Sequence, residues 1–171
     1  MKLILHDLEQ ERFAQLFPGL LKDSRVISEG EKTPRHCVGC FGCWVKTPGT
    51  CVIPDGNGDY GRVLAQCTEY VIVSRIVYGG FSPFVKTLLD RNIGYLLPFF
   101  TTRNGEMHHS SRYPEQFCLT VLGYGEDATE GEQSTFRNIV KANALNLNVR
   151  EHRVYLAPTP EELAKNREVI L

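Results

Sequence analysis

Two long apolar segments constrain the fold of this chain more than any other feature. Residues 70–78 read YVIVSRIVY and residues 117–124 read FCLTVLGY, so both are apolar almost without interruption. A strand with one exposed face alternates polar and apolar residues, whereas a central strand of a parallel sheet is covered on both faces and is apolar throughout. The two segments therefore predict a parallel sheet with helices on both sides.

Shorter strands and helices are predicted around these two segments. Apolar runs predict strands at residues 3–6, 25–28 and 149–156, and helical spacing of apolar residues occurs within 13–20 and 60–67. Pro18-Gly19 is expected to end the first helix at Phe17, and Ser82-Pro83 begins another. Two pairs, Thr129 with Glu132 and Thr159 with Glu162, have the spacing of a capping box.

Five strands alternating with about five helices predict an α/β fold, an open doubly wound parallel sheet. In such sheets ligands bind outside the carboxyl ends of the strands, which are followed here by residues 6–10, 74–83 and 123–129. The sequence shows no Ser/His/Asp pattern, phosphate-binding glycine loop or pair of catalytic carboxylates. The catalytic residues are therefore unknown, as is common where a cofactor performs the reaction.

Length and charge narrow the class of protein further. The chain has 171 residues, of which 42% are hydrophobic, and a net charge of −1. These values predict a single domain over residues 1–171 that binds neither nucleic acid nor membrane. Because the N-terminus MKLILHDLEQ has no signal-peptide pattern, the expected location is the cytoplasm, where thiols stay reduced.

The cysteine-rich loop at residues 36–56 is the first candidate site. Cys37, Cys40, Cys43 and Cys51 have the spacing C-x2-C-x2-C-x7-C, which suits a four-iron iron–sulfur cluster. Zinc is a weaker alternative, because structural zinc usually joins two separated C-x2-C pairs. The thiols can also fill space without metal, since buried cysteine behaves as a small hydrophobe. Cys67 and Cys118 lie in a predicted helix and strand and are expected in the core.

Two runs, CVGCFGCWVKTPGTCVIPDG and SRIVYGGFSPFVKTLLDR, resemble the flavodoxin-like NAD(P)H-dependent FMN reductases and the related iron–sulfur flavoproteins. That family combines a compact cysteine motif, an acidic pair, a strand ending in Ser-Pro-x-Tyr, and a helix with Lys and Asp-Arg. Lys86 and Asp90-Arg91 match the helix. Asp55-Gly56 lacks the second acid, and Arg75 replaces the usual proline.

The resemblance implies a sheet of order 2-1-3-4-5, with FMN across the strand ends and a homodimer or homotetramer completing the site. A nicotinamide donor would reduce the flavin, and a quinone, flavin or protein would accept the electrons. The isoalloxazine ring would lie along two loops. Their residues are Arg75, Ile76, Val77, Tyr78, Gly79 and Gly80 in the first loop, and Gly123, Tyr124 and Gly125 in the second.

The phosphate-binding loop departs from the family pattern. The family has a Ser/Gly/Thr-rich loop after the first strand, whereas this chain has carboxylates at Asp7, Glu9 and Glu11, which repel a phosphate. Either FMN binds with its phosphate held by Arg12 or a partner subunit, or the chain is a flavin-free binding or assembly protein. A four-cysteine metal or thiol sensor is a third hypothesis.

Several other side chains have two interpretations each. Arg75 either faces a flavin or an anionic substrate, or forms a salt bridge with Asp55 or Asp59. Tyr78 either stacks on a ring or caps the core. His108-His109 lies in a long polar insertion, residues 94–116, and is expected at the surface or a subunit interface. His36 either adjusts a cluster through a hydrogen bond or is solvated.

Overall fold

The computed structural model describes residues 1–30 and 34–165. Its strands in chain order are β1 (Lys2–His6), β2 (Ser24–Ser28), β3 (Glu69–Val77), β4 (Gly80–Phe81), β5 (Leu96–Arg103), β6 (Glu106–Ser111), β7 (Cys118–Tyr124) and β8 (Glu151–Ala157). Its α-helices are α1 (Gln10–Leu16), α2 (Gly42–Val45), α3 (Tyr60–Gln66), α4 (Pro83–Asp90), α5 (Glu130–Asn146) and α6 (Pro160–Lys165).

Five parallel strands form the central sheet in the order β2-β1-β3-β7-β8. The doubly wound sheet and its order 2-1-3-4-5 are therefore confirmed. The short strand β4 pairs antiparallel with the end of β3. The two apolar segments form the central strands β3 and β7, as predicted. Because both faces of these strands are covered, residues that point to either face are buried.

Helices cover both faces of the sheet. Leu3 and Leu5 of β1 pack into a core with residues of α3, α4 and α5, including Leu64 and Val85. Ile4, which points to the other face, packs with residues of α1 and α6. Since successive strand residues point to opposite faces, one apolar run supplies both cores. No helix in residues 1–30 or 34–165 is long and apolar enough to span a membrane.

The capping signals predicted the helix ends correctly. Thr129 Oγ1 accepts a hydrogen bond from the Glu132 amide at 3.3 Å, and Glu132 Oε2 accepts one from the Thr129 amide at 2.9 Å. Thr159 Oγ1 likewise accepts from the Glu162 amide at 3.3 Å. α1 ends at Leu16, directly before its C-cap Phe17, because Pro18 removes a backbone donor.

The insertion at residues 94–116, predicted as a long polar loop, contains a β-hairpin instead. β5 and β6 pair antiparallel, with Arg103 opposite Glu106. The two residues between them, Asn104 and Gly105, have φ of 51° and 82°. Asn-Gly is the strongest short signal for such a turn, and the sequence interpretation overlooked it because the flanking strands lack clear alternation.

Candidate functional site at the strand ends

The loop after β3 is a tight turn with an exposed aromatic tip. Val77 pairs with Gly80, so only Tyr78 and Gly79 lie between β3 and β4, with φ of 49° and 74°. Left-handed backbone at both positions is what a two-residue hairpin requires. Tyr78 is 94% exposed, so the interpretation that it caps the core is wrong.

Neighbouring glycines in the predicted flavin loops have different roles. A Cβ at Gly123 would lie 2.7 Å from Leu156 Cδ2 and 2.9 Å from Phe136 Cε1, so this glycine is required for core packing. A Cβ at Gly79 would lie 3.0 Å from Thr135 Cβ of α5, so the turn lies close to that helix. Ile76 is buried in the core, which leaves only its backbone available to a ligand.

Two adjacent spaces lie at the carboxyl ends of the strands, and together they are called the strand-end cleft here. One has a volume of about 220 Å³ and is lined by residues of the β3 and β7 loops, among them Arg75, Tyr78 and Asp127. The other has a volume of about 560 Å³ and extends from Tyr124 to Arg12. Arg75 and Asp127 line both, so the cleft runs from the turn toward α1.

Asp7 joins three loops at the point where the strand order reverses. Its Oδ2 accepts a hydrogen bond from the Arg75 amide at 2.8 Å, and its Oδ1 accepts one from the Tyr124 hydroxyl at 3.0 Å. These bonds tie the ends of β1, β3 and β7 together. Burial raises the pKa of the Asp7 carboxyl, although the two hydrogen bonds oppose that shift. These two donors are therefore not free to bind a ligand anion.

His6 fills the space beneath Asp7, a role that the sequence did not reveal. Its ring is fully buried and stacks on Phe13 with centroids 3.9 Å apart. His6 Nδ1 lies 3.1 Å from the Leu8 carbonyl. Desolvation lowers the pKa of His6 to about 4, so this ring is neutral at physiological pH and offers no charge to an anion.

Both arginines of the strand-end cleft already have carboxylate partners. Arg12 Nη2 lies 2.7 Å from Glu161 Oε1, and Arg75 Nη2 lies 3.5 Å from Asp127 Oδ2. Glu126 also lines the cleft, so carboxylates outnumber cations there. The predicted partners of Arg75 were wrong, because Asp55 pairs with Arg91 and Asp59 with Arg25.

The cysteine-rich segment packs near the C-terminal end of α4, whereas the Tyr78 turn precedes the N-terminal end. Asp55 and Arg91 form a buried ion pair at 2.6 Å, with side-chain exposures of 5% and 0%. Hydrogen bonds from Arg91 and from the amides of Arg35 and Asn57 hold the pKa of Asp55 well below its usual range, against the opposing effect of burial. Trp44 Nε1 donates to the carbonyls of Ile93 and Leu96 at 2.9 and 3.0 Å.

Cys43 lies away from the predicted flavin loops. It packs near residues 91–95, which follow the C-terminal end of α4, whereas Tyr78 precedes its N-terminal end. A Cβ at Gly94 would lie 3.4 Å from Cys43 Cβ. The eight residues of α4 alone span about 12 Å, so Cys43 does not support the flavin loops directly, and a role of the other cysteines beside the flavin stays a prediction.

All six cysteines are free. Within the described ranges, no group of three His, Cys, Asp or Glu side chains is arranged to share a metal ion. The assignment of Cys37, Cys40, Cys43 and Cys51 as metal ligands therefore stays a prediction. Cys67 is buried as expected, and its Sγ donates to the Leu64 carbonyl at 3.0 Å. Cys118 is only partly buried and accepts a hydrogen bond from Arg150.

The histidines form separate local contacts. His36 Nδ1 lies 3.0 Å from Thr87 Oγ1 of α4, so this ring is held on the helix surface. His108 Nε2 lies 3.2 Å from Glu106 Oε2 within the hairpin. His109 lies between Trp44 and Phe100, with ring centroids 4.8 and 4.9 Å away. The adjacent histidines thus point to different surroundings.

No protein-family model matches the chain, and no curated protein matches it significantly. Solved structures do. Smu.1420 from Streptococcus mutans UA159 is 10% identical, with a TM-score of 0.62 over 97% of this chain and 96% of that chain. NAD(P)H:quinone oxidoreductase from Methanothermobacter marburgensis is 10% identical, with a TM-score of 0.60 over 98% and 94%. The FMN-dependent NADH-azoreductase from Bacillus anthracis, solved with FMN, is 13% identical, with a TM-score of 0.54 over 98% and 94%. These similarities establish a flavodoxin-like fold, which does not by itself fix a function.

The strand-end cleft fits one part of FMN and not the other. At the ring end, an exposed tyrosine and a tight glycine turn border an open space. At the phosphate end, Asp7 adds a negative charge and already accepts hydrogen bonds from the Arg75 amide and the Tyr124 hydroxyl, and Glu161 pairs with Arg12. α1 begins with Glu9 at its N-cap position and has only seven residues. The residues present therefore suit a flavin ring but not a phosphate dianion.

Proposed function

We propose that this protein is an oxidoreductase or electron-transfer protein that binds a flavin by its ring system in the strand-end cleft. A bound flavin supplies hydride and electron transfer. The donor we propose is a reduced nicotinamide and the acceptor a quinone or similar small molecule, by analogy with the reductases of the same fold. Cytoplasmic location and a homodimer or homotetramer belong to the same proposal.

Tyr78 carries this proposal. An aromatic residue with φ of 49° is unfavourable, because left-handed backbone costs a non-glycine residue about 1–2 kcal/mol. The turn of the β5–β6 hairpin has Asn104 at the same position, with φ of 51°. Asparagine adopts that conformation far more readily than a bulky aromatic residue. A strained, fully exposed aromatic at a cleft indicates a role in binding.

The remaining residues of the cleft would orient the ring and select against the phosphate. Tyr78 would stack on the flavin, and the backbone of residues 76–80 would face its edge. Asp7 is held in place by the Arg75 amide and Tyr124 hydroxyl, so a phosphate would meet a fixed negative charge. At about 4 Å such a repulsion costs roughly 1 kcal/mol in water and more in a partly dry site.

A flavin titration tests the proposal. We expect riboflavin fluorescence to be quenched with a saturable curve, and the Tyr78→Leu variant to weaken binding about tenfold, since a stacking contact is worth about 1–3 kcal/mol. Lys22→Leu, an exposed change away from the cleft, is the matched control. Reduced nicotinamide should then support quinone reduction by the flavin-loaded protein. A wild-type protein that leaves riboflavin fluorescence unchanged contradicts the proposal.

A flavin-free binding or assembly protein is the second candidate. The observation in its favour is that the hairpin has three exposed large apolar side chains, namely Phe99, Phe100 and Met107. Exposed apolar clusters mark partner surfaces in many soluble proteins. This candidate predicts no flavin binding and unchanged behaviour of Tyr78→Leu, whereas Phe100→Ser would change the oligomeric state in a light-scattering measurement.

The cysteines carry a separate part of the proposal, either an iron–sulfur cluster or, less favourably, a zinc site or thiol sensor. For a cluster, the loop holding Cys37, Cys40, Cys43 and Cys51 would have to bring the thiolates together. Burial raises the pKa of the Cys43 thiol, which disfavours its thiolate until a metal binds. Anaerobic purification with iron and zinc counts tests this: less than one metal ion per chain would contradict both metal options.

A further inference from the structure

A second pocket lies between α4 and α5, away from the strand-end cleft. Its volume is about 430 Å³, which is within the range of small-molecule sites. Apolar side chains from both sides form most of its wall, including Leu89 and Ile93 on one side and Ile139 and Leu147 on the other. It is called the α4–α5 pocket here. Such a cavity becomes a candidate site when a few polar groups converge on it.

Asn92 is the polar group that distinguishes the α4–α5 pocket from an ordinary packing defect. The residue lines the pocket and is only 4% exposed. Neither Asn92 Oδ1 nor Asn92 Nδ2 has a hydrogen-bond partner among the residues that the structure describes. Buried polar side chains almost always have a partner. Both carboxamide atoms are closed to solvent here, so a ligand in the cavity that Asn92 lines would pair with them once the side chain turns toward it.

The neighbours of Asn92 fix its backbone. Arg91 is held by Asp55 in the buried ion pair, and the Ile93 carbonyl accepts a hydrogen bond from Trp44. A ligand would therefore have to order only the side chain of Asn92, which limits the entropy lost on binding.

His109 forms another wall of the α4–α5 pocket. Its ring contacts Trp44 and Phe100, and its Nδ1 is also buried without a partner in the described part of the chain. The hairpin thus places an aromatic ring and a further hydrogen-bonding atom next to the apolar walls. A planar ring with polar atoms on one edge matches this combination.

We propose that the α4–α5 pocket binds a small aromatic molecule that carries an amide edge, meaning an adjacent N–H donor and C=O acceptor. The N–H would donate to Asn92 Oδ1, and the C=O would accept from Asn92 Nδ2. The aromatic part would lie between the apolar walls and His109. This pocket has no lining residue in common with the strand-end cleft, although Gly80, at the end of the proposed flavin loop, lines it.

Trp44 provides a direct reporter for the test. It is the only tryptophan of the chain and contacts His109 at the pocket wall. Benzamide has the required edge, whereas methyl benzoate has the same ring and carbonyl but no N–H. We expect benzamide to change Trp44 emission with a saturable curve, and methyl benzoate to bind at least about tenfold more weakly, because it leaves a buried polar group unpaired.

Two leucine variants complete the experiment. Asn92→Leu should reduce the preference for benzamide to within about twofold, while Asn138→Leu, which changes an exposed asparagine of α5, should leave it intact. Since Asn92 makes no hydrogen bond to the described residues, the Asn92→Leu protein should unfold at no lower urea concentration than wild type. No saturable response, equal affinities in wild type, or an unchanged preference in Asn92→Leu would each overturn the proposal.

Discussion

An aspartate ties loops together near each end of α4, but the pKa values of the two carboxyl groups are shifted in opposite directions. At each end a buried aspartate accepts hydrogen bonds that tie loops together. Asp55 has the Arg91 guanidinium as a partner, and its pKa is lowered. Asp7 has a backbone amide and a tyrosine hydroxyl as partners, and its pKa is raised. The Asp55 carboxylate is thus stabilised by its surroundings, whereas the Asp7 carboxylate is disfavoured by burial and lies near an open cleft.

That difference teaches where binding is to be expected. Structures store unfavourable conformations and shifted pKa values mainly where function requires them. The Asp7 end combines a raised carboxyl pKa, the left-handed Tyr78 and two paired but exposed arginines. The Asp55 end also has a left-handed aromatic residue, Phe41 with φ of 54°, but its charges form a satisfied ion pair between side chains that are nearly inaccessible.

Removing one partner of the buried ion pair is the change with the largest expected effect. Arg91→Met leaves Asp55 charged and unpaired, which costs about 3–5 kcal/mol of the free energy of unfolding. Urea denaturation measures that loss. The double variant Arg91→Met/Asp55→Leu leaves no buried charge and should be less destabilised than Arg91→Met alone. A loss below about 1 kcal/mol in Arg91→Met would show that the Asp55 end does not depend on its pair.

Low pH should affect the two ends of α4 differently, because His6 lies at the Asp7 end. Its pKa is about 4 in the folded chain and 6.5 without burial, so the unfolded state binds the proton first as the pH falls. Stability is therefore lost between pH 6.5 and about 4, by up to about 3 kcal/mol. Urea midpoints measured across that range report the loss.

His6→Phe keeps the stack on Phe13 and removes this titration, so its stability should fall less over the same range. Asp7, whose pKa is raised, contributes in the opposite direction, and the comparison with His6→Phe cancels its effect. The lowered pKa of Asp55 stabilises the fold fully above its unfolded value of 3.8, and this stabilisation is lost only as the pH falls below about 4. Asp55 therefore does not account for a loss of stability between pH 6.5 and about 4. Parallel curves for wild type and His6→Phe would contradict the assignment of the acid loss to His6.

The two tight turns offer the smallest and most closely matched test. Tyr78→Asn should raise the free energy of unfolding by about 1 kcal/mol, because asparagine tolerates left-handed backbone. Asn104→Tyr should lower it by a similar amount, since that turn has the same conformation and no cleft beside it. Thermal unfolding of both variants gives the comparison. A destabilised Tyr78→Asn would mean that Tyr78 serves packing and not binding.

The sequence predicted what periodicity and capping encode, and little of what depends on long-range pairing. The apolar segments gave β3 and β7, and Thr129 gave the start of α5. The carboxylates after β1 predict a problem for a phosphate, which stays a prediction, and they did not reveal that Asp7 accepts hydrogen bonds from Arg75 and Tyr124. Those partners are 68 and 117 residues away in the chain, and no local pattern reports such a contact.

The cysteine motif is a second case in which the sequence did not reveal long-range contacts. Its spacing indicated clustered thiols, yet the position of the motif depends on Arg91 and Trp44, which anchor it at the far end of α4. Asn92 and the α4–α5 pocket left no signal at all, because a cavity arises from the shapes of several elements together. The Asn-Gly turn of the hairpin was readable from the sequence and was missed.

The central claim is that the strand-end cleft accepts a flavin ring and rejects its phosphate through Asp7. The most direct test is the ratio of the dissociation constants of FMN and riboflavin, measured by flavin fluorescence for wild type, Asp7→Ser and the charge control Glu115→Ser. We expect wild type to bind riboflavin about tenfold more tightly than FMN, since each charge repulsion costs at least roughly 1 kcal/mol. Asp7→Ser should move the ratio toward FMN, and Glu115→Ser should leave it unchanged. Tighter binding of FMN than of riboflavin by wild type would contradict the account.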